Sequence, residues 1–421
     1  MKLYSLAIRY QSIENFGMLL RFLNGKFSEV MNSIFLIFNR LLTFVASCLS
    51  MAIKNLMLHK ARTFTAALGI VFAVFLMFLQ IGFLQAVKKE ATLLYEYFSF
   101  DLAVISPEYQ FLYSPPSFDR IRLIQAKSLP DVTDTFNLNI NIGGWIDPET
   151  ELRSSMLMIG VDRKDHFIKE QKITSGLNNM AGRNSVLLDE FSHSDFGHRK
   201  VGANGVINRR NTTVVGLFQL GLFFYAEGAI IVDNQYFHSY ARKSSRQTSI
   251  GLIQLKKGTD LTLAKKQLAM VLPEDVKVIS KSELINQEQR YFVSIKPLGI
   301  IFNAGVFIAL VIGIVILFQV LSTEINNRMR EFATLKAIGF GNSFVYGIGV
   351  VQTMIFAIIG FIPAMILCSQ VFNVIYDLSH LPTKVNLSLV SDVIILVIAM
   401  SFFSALITLQ KIRRANPAEL F

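Results

Sequence analysis

The stretch Leu298-GIIFNAGVFIALVIGIVILFQVL-Ser322 decides the fold. It lies between Lys296 and Glu324 and carries no charged residue. The hydrocarbon core of a bilayer is about 30 Å thick and takes roughly 20 helical residues to cross, so this stretch is long enough to span it. Three more uncharged windows of sufficient length lie between Arg62 and Lys88, between Lys336 and Asp377, and between Asp392 and Lys411. Spans are therefore expected at 63–84, 298–322, 343–368 and 393–410. Gly339, Gly341 and Asn342 break the start of the third window, and Pro363 is expected to kink its helix and leave room for a second short helix.

Composition agrees with membrane residence: 52% of the 421 residues are apolar, and the mean hydropathy is +0.45. Basic residues set the orientation, because Lys and Arg are retained on the cytoplasmic side. Lys54, Lys60 and Arg62 precede the first span, Arg328, Arg330 and Lys336 lie between the second and third, and Lys411, Arg413 and Arg414 follow the fourth. An even number of spans makes all three sites cytoplasmic, with both termini. The region 85–297 and the short loop 369–392 then lie outside the cytoplasm, whereas the loop 323–342 and the tail 411–421 lie inside. The formal net charge of +11 is dispersed and largely topological, not the clustered patch of a nucleic-acid footprint. Cys48 and Cys368 sit in apolar stretches on different parts of this topology and supply no disulfide or metal framework.

Before the first span, the apolar run from Met31 to Met51 is interrupted by Arg40, which argues against a fifth span and leaves 1–50 an extension of uncertain structure. It lacks the cleavage site of a signal peptide, and Met51 could be the natural start. Residues 51–62 place Ile53, Leu56 and Met57 on one helical face with Lys54 and Lys60 off it, the pattern of a cytoplasmic interfacial helix.

Within 85–297 the pattern is mixed. A helical start at 85–99 gives way to short β-rich runs at 101–106, 155–161, 212–218, 229–233 and 249–255, each bounded by Gly, Pro, Asn or Asp. Helical patterns fall at 118–126 and at 260–271, the latter stopped by Pro273. The fold class expected is an α-helical membrane protein with four transmembrane helices and a large α+β extracytoplasmic domain between the first and second spans.

No catalytic, cofactor or metal site is expected. No G-x-x-x-x-G-K-[ST] loop occurs, and the nearest approach, 176–183, has the wrong spacing and ending. His193, Asp195 and His198 read as a solvated loop, because a zinc site needs further ligands at defined spacing. No Gly-x-Ser-x-Gly elbow anchors hydrolytic chemistry. Glu324 and Arg328, one helical turn apart past the second span, form a helix-end charge cluster.

The residues just beyond that cluster are more informative. Arg330-Glu-Phe-Ala-Thr-Leu-Lys-Ala-Ile-Gly339 reads as a short amphipathic helix with Phe332, Leu335 and Ile338 along one side and a glycine C-cap. A short cytoplasmic helix between two spans is a handle for another protein. The segment resembles the R-E-x-x-x-L-K-A-x-G coupling helix of MacB- and FtsX-type ABC transporter permeases, which dock it into a cleft of the ATPase. Phe318-Gln-Val-Leu-Ser-Thr-Glu-Ile325, Glu331-Phe-Ala-Thr-Leu-Lys-Ala-Ile-Gly-Phe340 and Ile412-Arg-Arg-Ala-Asn-Pro-Ala-Glu-Leu-Phe421 sharpen the resemblance toward the cyanobacterial DevC type. Val214-Val-Gly-Leu-Phe-Gln-Leu-Gly221, Gly251-Leu-Ile-Gln-Leu-Lys-Lys-Gly258 and Leu272-Pro-Glu-Asp-Val-Lys-Val278 are similar as well, so the likeness covers 51–421.

The resemblance implies a non-catalytic permease subunit of an inner-membrane export complex. Its partners would be an ABC ATPase, a periplasmic membrane-fusion adaptor, an outer-membrane TolC-like duct and a second copy of the chain. The DevC type implies a lipid or glycolipid cargo. Glu331 and Lys336 are the expected polar contacts with the ATPase; Phe332, Leu335 and Ile338 form its apolar docking face, closed by Gly339. The spans carry almost no charge and hence no intramembrane proton relay of the kind coupled transporters use, so energy would come from the ATPase. The alternatives are an FtsX-like signalling protein that controls an extracytoplasmic enzyme, and a four-span receptor without an ATPase.

Overall fold

The computed structural model describes residues 60–163, 166–221, 226–327, 334, 338 and 342–414. Among them, four helices are long and apolar enough to cross a membrane: Phe64–Glu90, Leu298–Asn327, Gly347–Ser379 and Leu387–Thr408. The extension 1–50 and most of the expected interfacial helix lie outside the described residues. Residues 60–62 belong to the helix Lys60–Glu90 that forms the first span.

The helices outrun the uncharged windows. The first continues through Lys88 and Lys89 to Glu90, so the expected helical start of the outer domain is largely the tail of the span, followed by a separate turn at Leu93–Glu96. The third is one helix, Asn342–Ser379, with Pro363 inside it, so the room left for a second short helix after the proline is not used. Pro363 removes one backbone donor, and neighbouring helices make such a loss tolerable in a span. The expected loop 369–392 shrinks to 380–386, because the last helix, Leu387–Arg414, begins before Asp392.

The chain divides into two compact units. One comprises Met1–Phe75, Ala309–Ala364 and Ile394–Phe421; the other comprises Leu76–Ile308 and Met365–Val393. In the first unit the helices meet through glycines. A Cβ on Gly69 would stand 3.2 Å from Ile316, one on Gly360 2.5 Å from Ile70, and one on Gly313 2.1 Å from Met400. Such close approach is how helices associate in lipid, where burying apolar surface gains nothing over the acyl chains.

The second unit holds the α+β domain. Its strands are β1 (Leu102–Ile105), β2 (Phe118–Asp119), β3 (Val132–Ile146), β4 (Arg153–Val161), β5 (Ser185–Asp189), β6 (Asn204–Ile207), β7 (Arg210–Phe218), β8 (Gly228–Asp233), β9 (Gln247–Thr248), β10 (Ile250–Leu255) and β11 (Lys277–Ser280). Nine of them form one sheet in the order β11-β1-β10-β3-β4-β8-β5-β7-β6, with β6 pairing back onto β3. The first half of β3 pairs with β10, from Val132 to Leu138, and its second half pairs with β4, with Trp145 and Ile146 also on β6. Six strands, β3, β4, β8, β5, β7 and β6, therefore close on themselves.

Alternation explains the core. Met156, Met158, Ile230 and Val232 join Trp145 and Phe237 on one face, while Leu157, Ile159, Ala229 and Ile231 join Phe136 and Phe167 on the other. Strands buried on both faces read as continuous apolar runs, as β4 and β8 do. The expected helix at 118–126 is instead strand β2 followed by a helix over Ile121–Lys127. The helix Leu261–Val271 starts at Asp260, whose carboxylate accepts from the Thr262 and Leu263 amides at 2.7 and 3.2 Å.

The return to the membrane is built as carefully. Ser280 opens the helix Lys281–Arg290 with a capping box: its hydroxyl accepts from the Glu283 amide at 3.2 Å, and the Glu283 carboxylate accepts from the Ser280 amide at 2.7 Å. A π-helical turn, Tyr291–Ile295, then leads through Pro297 into the second span.

Candidate functional site

The expected coupling segment is only partly described. Ile338 is 71% exposed, and its amide donates to the Thr334 carbonyl at 3.0 Å, one helical turn earlier. Glu331, Phe332, Leu335, Lys336 and Gly339 lie outside the described residues.

A second site is a cavity of about 680 Å³ in the unit that holds the α+β domain. Its walls come from distant parts of the chain. Gln85, Lys88 and Lys89 contribute from the end of the first span, Tyr376 and His380 from the end of the third, and Lys384 and Asn386 from the link to the fourth. Phe191, Gln219 and Leu220 come from the loops after β5 and β7.

Local contacts fix these walls. The Phe191 ring stacks on His380 with centroids 4.0 Å apart and 24° between planes. Gln85 donates to Asp392 at 3.3 Å and accepts from the Asn386 amide at 3.2 Å, tying the first span to the start of the fourth. Lys384 stands 5.4 Å from the centroid of the Tyr376 ring, within cation–π range. Lys89 is ion-paired with Glu96. Lys88 and Lys384 have no such pair among the described residues, and the one carboxylate in the lining is Glu170.

Two buried carboxyls brace this region. Asp189 accepts from the amides of Phe191, Leu220 and Gly221 at 3.1, 2.9 and 2.9 Å, so one side chain holds both wall-forming loops. Gly221 has φ +69, a left-handed conformation that favours glycine. Burial pushes the Asp189 carboxyl up to about 6, against the lowering effect of those amides. Glu288 lies beneath Tyr95 and Tyr109, whose hydroxyls both reach its Oε1, while Oε2 accepts from the Leu112 amide at 3.1 Å. Burial raises this carboxyl to about 7, and the hydrogen bonds only partly oppose it. It fastens the helix leading to the second span onto the segment leaving the first.

Other residues singled out in the sequence are not gathered. His193 Nδ1 lies 3.2 Å from Asp195, but His198 Nε2 lies 3.5 Å from Glu149, and both histidines are well exposed. Among the described residues no group of three or more His, Cys, Asp or Glu side chains is placed to hold a metal ion. Sequence reasoning missed the cavity, because Lys88 reads singly as a charge that ends a span and Lys384 as one charge within a short loop. The available signal was that the ends of three spans all bear polar or aromatic side chains.

Two known families match parts of the chain. Residues 63–271 match the model of the MacB-like periplasmic core domain, and residues 303–417 match that of the FtsX-like permease C-terminal domain. Among solved structures, the periplasmic region of MacB from Actinobacillus actinomycetemcomitans is 10% identical, with a TM-score of 0.33, covering 46% of this chain and 94% of that one. The extracellular domain of the noncanonic ABC-type transporter YknZ from Gram-positive bacteria is 12% identical, with a TM-score of 0.31, covering 43% and 98%. A domain of a putative permease protein from Porphyromonas gingivalis is 12% identical, with a TM-score of 0.28, covering 43% and 86%. No curated protein matches the chain. With a periplasmic core domain inserted between its first two spans and the FtsX-like module after it, this multi-pass membrane chain belongs to the MacB/FtsX-like permease superfamily.

Proposed function

We propose that this chain is the membrane subunit of an ABC-type export complex in the inner membrane, with both termini cytoplasmic. A separate ATPase docks on the segment around 331–339, and its closure moves the second and third spans. The observation that carries this reading is the continuity of the two long helices that flank the α+β domain in sequence. The helix Lys60–Glu90 leaves the first span without a break, and the helix Leu298–Asn327 continues past the apolar window to within a few residues of the docking segment. Glu288 with Tyr95 and Tyr109 ties the helix Lys281–Arg290, which precedes the second span, to the segment that follows the first, and this tie is the proposed route by which motion passes between them.

Glu331 and Lys336 make the polar contacts with the ATPase, and Phe332, Leu335 and Ile338 fill its cleft, with Gly339 ending the helix. The exposure of Ile338 supports this use. A second copy of the chain, a periplasmic adaptor and an outer-membrane duct complete the complex, and the cargo is a lipid or glycolipid of the DevC type. Leu335→Asp tests the reading, with export of envelope lipid and membrane insertion both measured. Export is expected to fall to background with insertion intact; unchanged export would remove the docking assignment. Co-purification of an ATPase without any adaptor would favour the FtsX-like signalling reading.

A further inference from the structure

We propose that the cavity at the outer ends of the spans binds the anionic, phosphate-bearing headgroup of a membrane amphiphile. The inference deepens the export reading and rests on it, since it gives the exported lipid a place of entry.

Position is the first ground. Lys88 lies in the last turn of the first span, Tyr376 in the last turn of the third, and Asn386 immediately before the fourth. A cavity lined by the ends of three apolar helices opens where headgroups lie, and not in bulk water or among acyl chains. A volume of about 680 Å³ suits a polar headgroup.

Charge is the second. Three lysines line the cavity against one glutamate, and Lys89 is already paired with Glu96 outside the lining. Lys88 and Lys384 remain to meet an anion, and near a membrane surface each basic side chain adds attraction for anionic lipid. The half-buried His380 has a buried Nδ1 with no hydrogen-bond partner among the described residues, so its ring has capacity to spare. Gln219 and Gln289 each spend one amide N–H within the protein, on Glu190 and on the Lys88 carbonyl, and keep the second N–H and the carbonyl oxygen for a polar headgroup carrying hydroxyls.

Function in binding is separable from ATPase docking, so the test uses the purified full-length chain in detergent without any partner. Native mass spectrometry with added phosphatidylglycerol, phosphatidylcholine or glycerol 3-phosphate reads the bound species. Phosphatidylglycerol is expected to bind more tightly than phosphatidylcholine. Its affinity is expected to fall about tenfold in the double variant Lys88→Gln/Lys384→Gln. The control Lys256→Gln/Lys257→Gln, exposed and outside the cavity, should bind as the parent does. Lys384→Glu, at an exposed position, repeats the test where the fold is not at issue. Equal affinity in parent and cavity variants, or an equal loss in the control, would overturn the proposal. Glycerol 3-phosphate binding as tightly as the lipid would reassign the site to a soluble phosphate ester and overturn the membrane source. A chain that discriminates lipids but tolerates Leu335→Asp would keep the cavity and lose the docking assignment, and the converse result would do the opposite.

Discussion

The two compact units of this protein are held together by opposite means. Inside the α+β domain the buried residues are large, and polar groups are paired across elements. Trp145 is fully buried, stacks on Phe196 at 5.6 Å and donates its indole N–H to the Phe196 carbonyl. Asn139 donates to Asn234 at 2.8 Å, and Asn234 donates to the Asn137 carbonyl at 2.9 Å. In the other unit the contacts run through Gly69, Gly313 and Gly360, and the buried Ser401 and Thr408 hydroxyls bond within their own helix. Ser401 donates to the Val397 carbonyl at 2.9 Å and Thr408 to the Ser404 carbonyl at 2.8 Å. Water drives the first arrangement by expelling apolar surface, whereas lipid gives no such drive and leaves close packing to hold the second. Removing volume should therefore damage the domain most, and adding volume should damage the bundle, and the domain as well where a glycine faces a large side chain, as Gly205 faces Trp145.

The largest effect expected is on the domain side. Trp145→Ala deletes a fully buried indole and should lower stability by about 3–5 kcal/mol, read from denaturation of the full chain in detergent. A loss under about 1 kcal/mol would mean that the closed six-stranded ring is not packed around this residue.

Next comes the buried carboxyl at the domain's base. Glu288 is raised from its ordinary 4.5 to about 7, so the native state holds a proton that the unfolded chain releases. Stability from this group should fall as pH rises through that window, by a total on the order of 3 kcal/mol. Glu288→Gln should flatten the profile there, leaving the slopes of the other shifted groups, among them Asp189, raised to about 6, and His238, lowered from 6.5. An unchanged profile would place Glu288 in contact with water.

On the bundle side, Gly360→Ala drives a methyl into the branched side chain of Ile70, whereas at Gly69 the added methyl meets the side chain of Ile316 at 3.2 Å. The first should cost about 1–3 kcal/mol and the second distinctly less, measured by thermal unfolding in detergent. A negligible cost at Gly360 would break the contrast between the units.

The smallest effect is local. Ser280→Ala removes one half of the capping box and should lower stability by about 1 kcal/mol, with the segment 281–290 exchanging amide hydrogens faster than its surroundings.

Much of this architecture could be read from residue order alone, and the exceptions have physical causes. The spans were legible because charge is excluded from them, and β4, β7, β8 and β10 because strands buried on both faces are continuously apolar. Strand β3, the longest, was not, since Asn137, Asn139 and Asn141 interrupt any apolar run. Two of these asparagines are buried, and their partners, Asn234 and Ser249, lie about a hundred residues away. Residue order left open whether the helix continues past Pro363, because in water a proline would end it. The proposed docking segment rests on an amphipathic pattern that is local in sequence, most of which lies outside the described residues. The cavity could not be read in that way, as Lys88, Phe191 and Lys384 meet only through the fold.

The central claim, that the segment around 331–339 is the ATPase handle, is tested most directly by a photo-crosslinking amino acid placed at Ile338 in cells. The expected result is a single crosslinked product containing an ATP-binding subunit, lost when Leu335→Asp is added. Crosslinks only to lipid, or to proteins that bind no nucleotide, at normal levels of the inserted chain would contradict it.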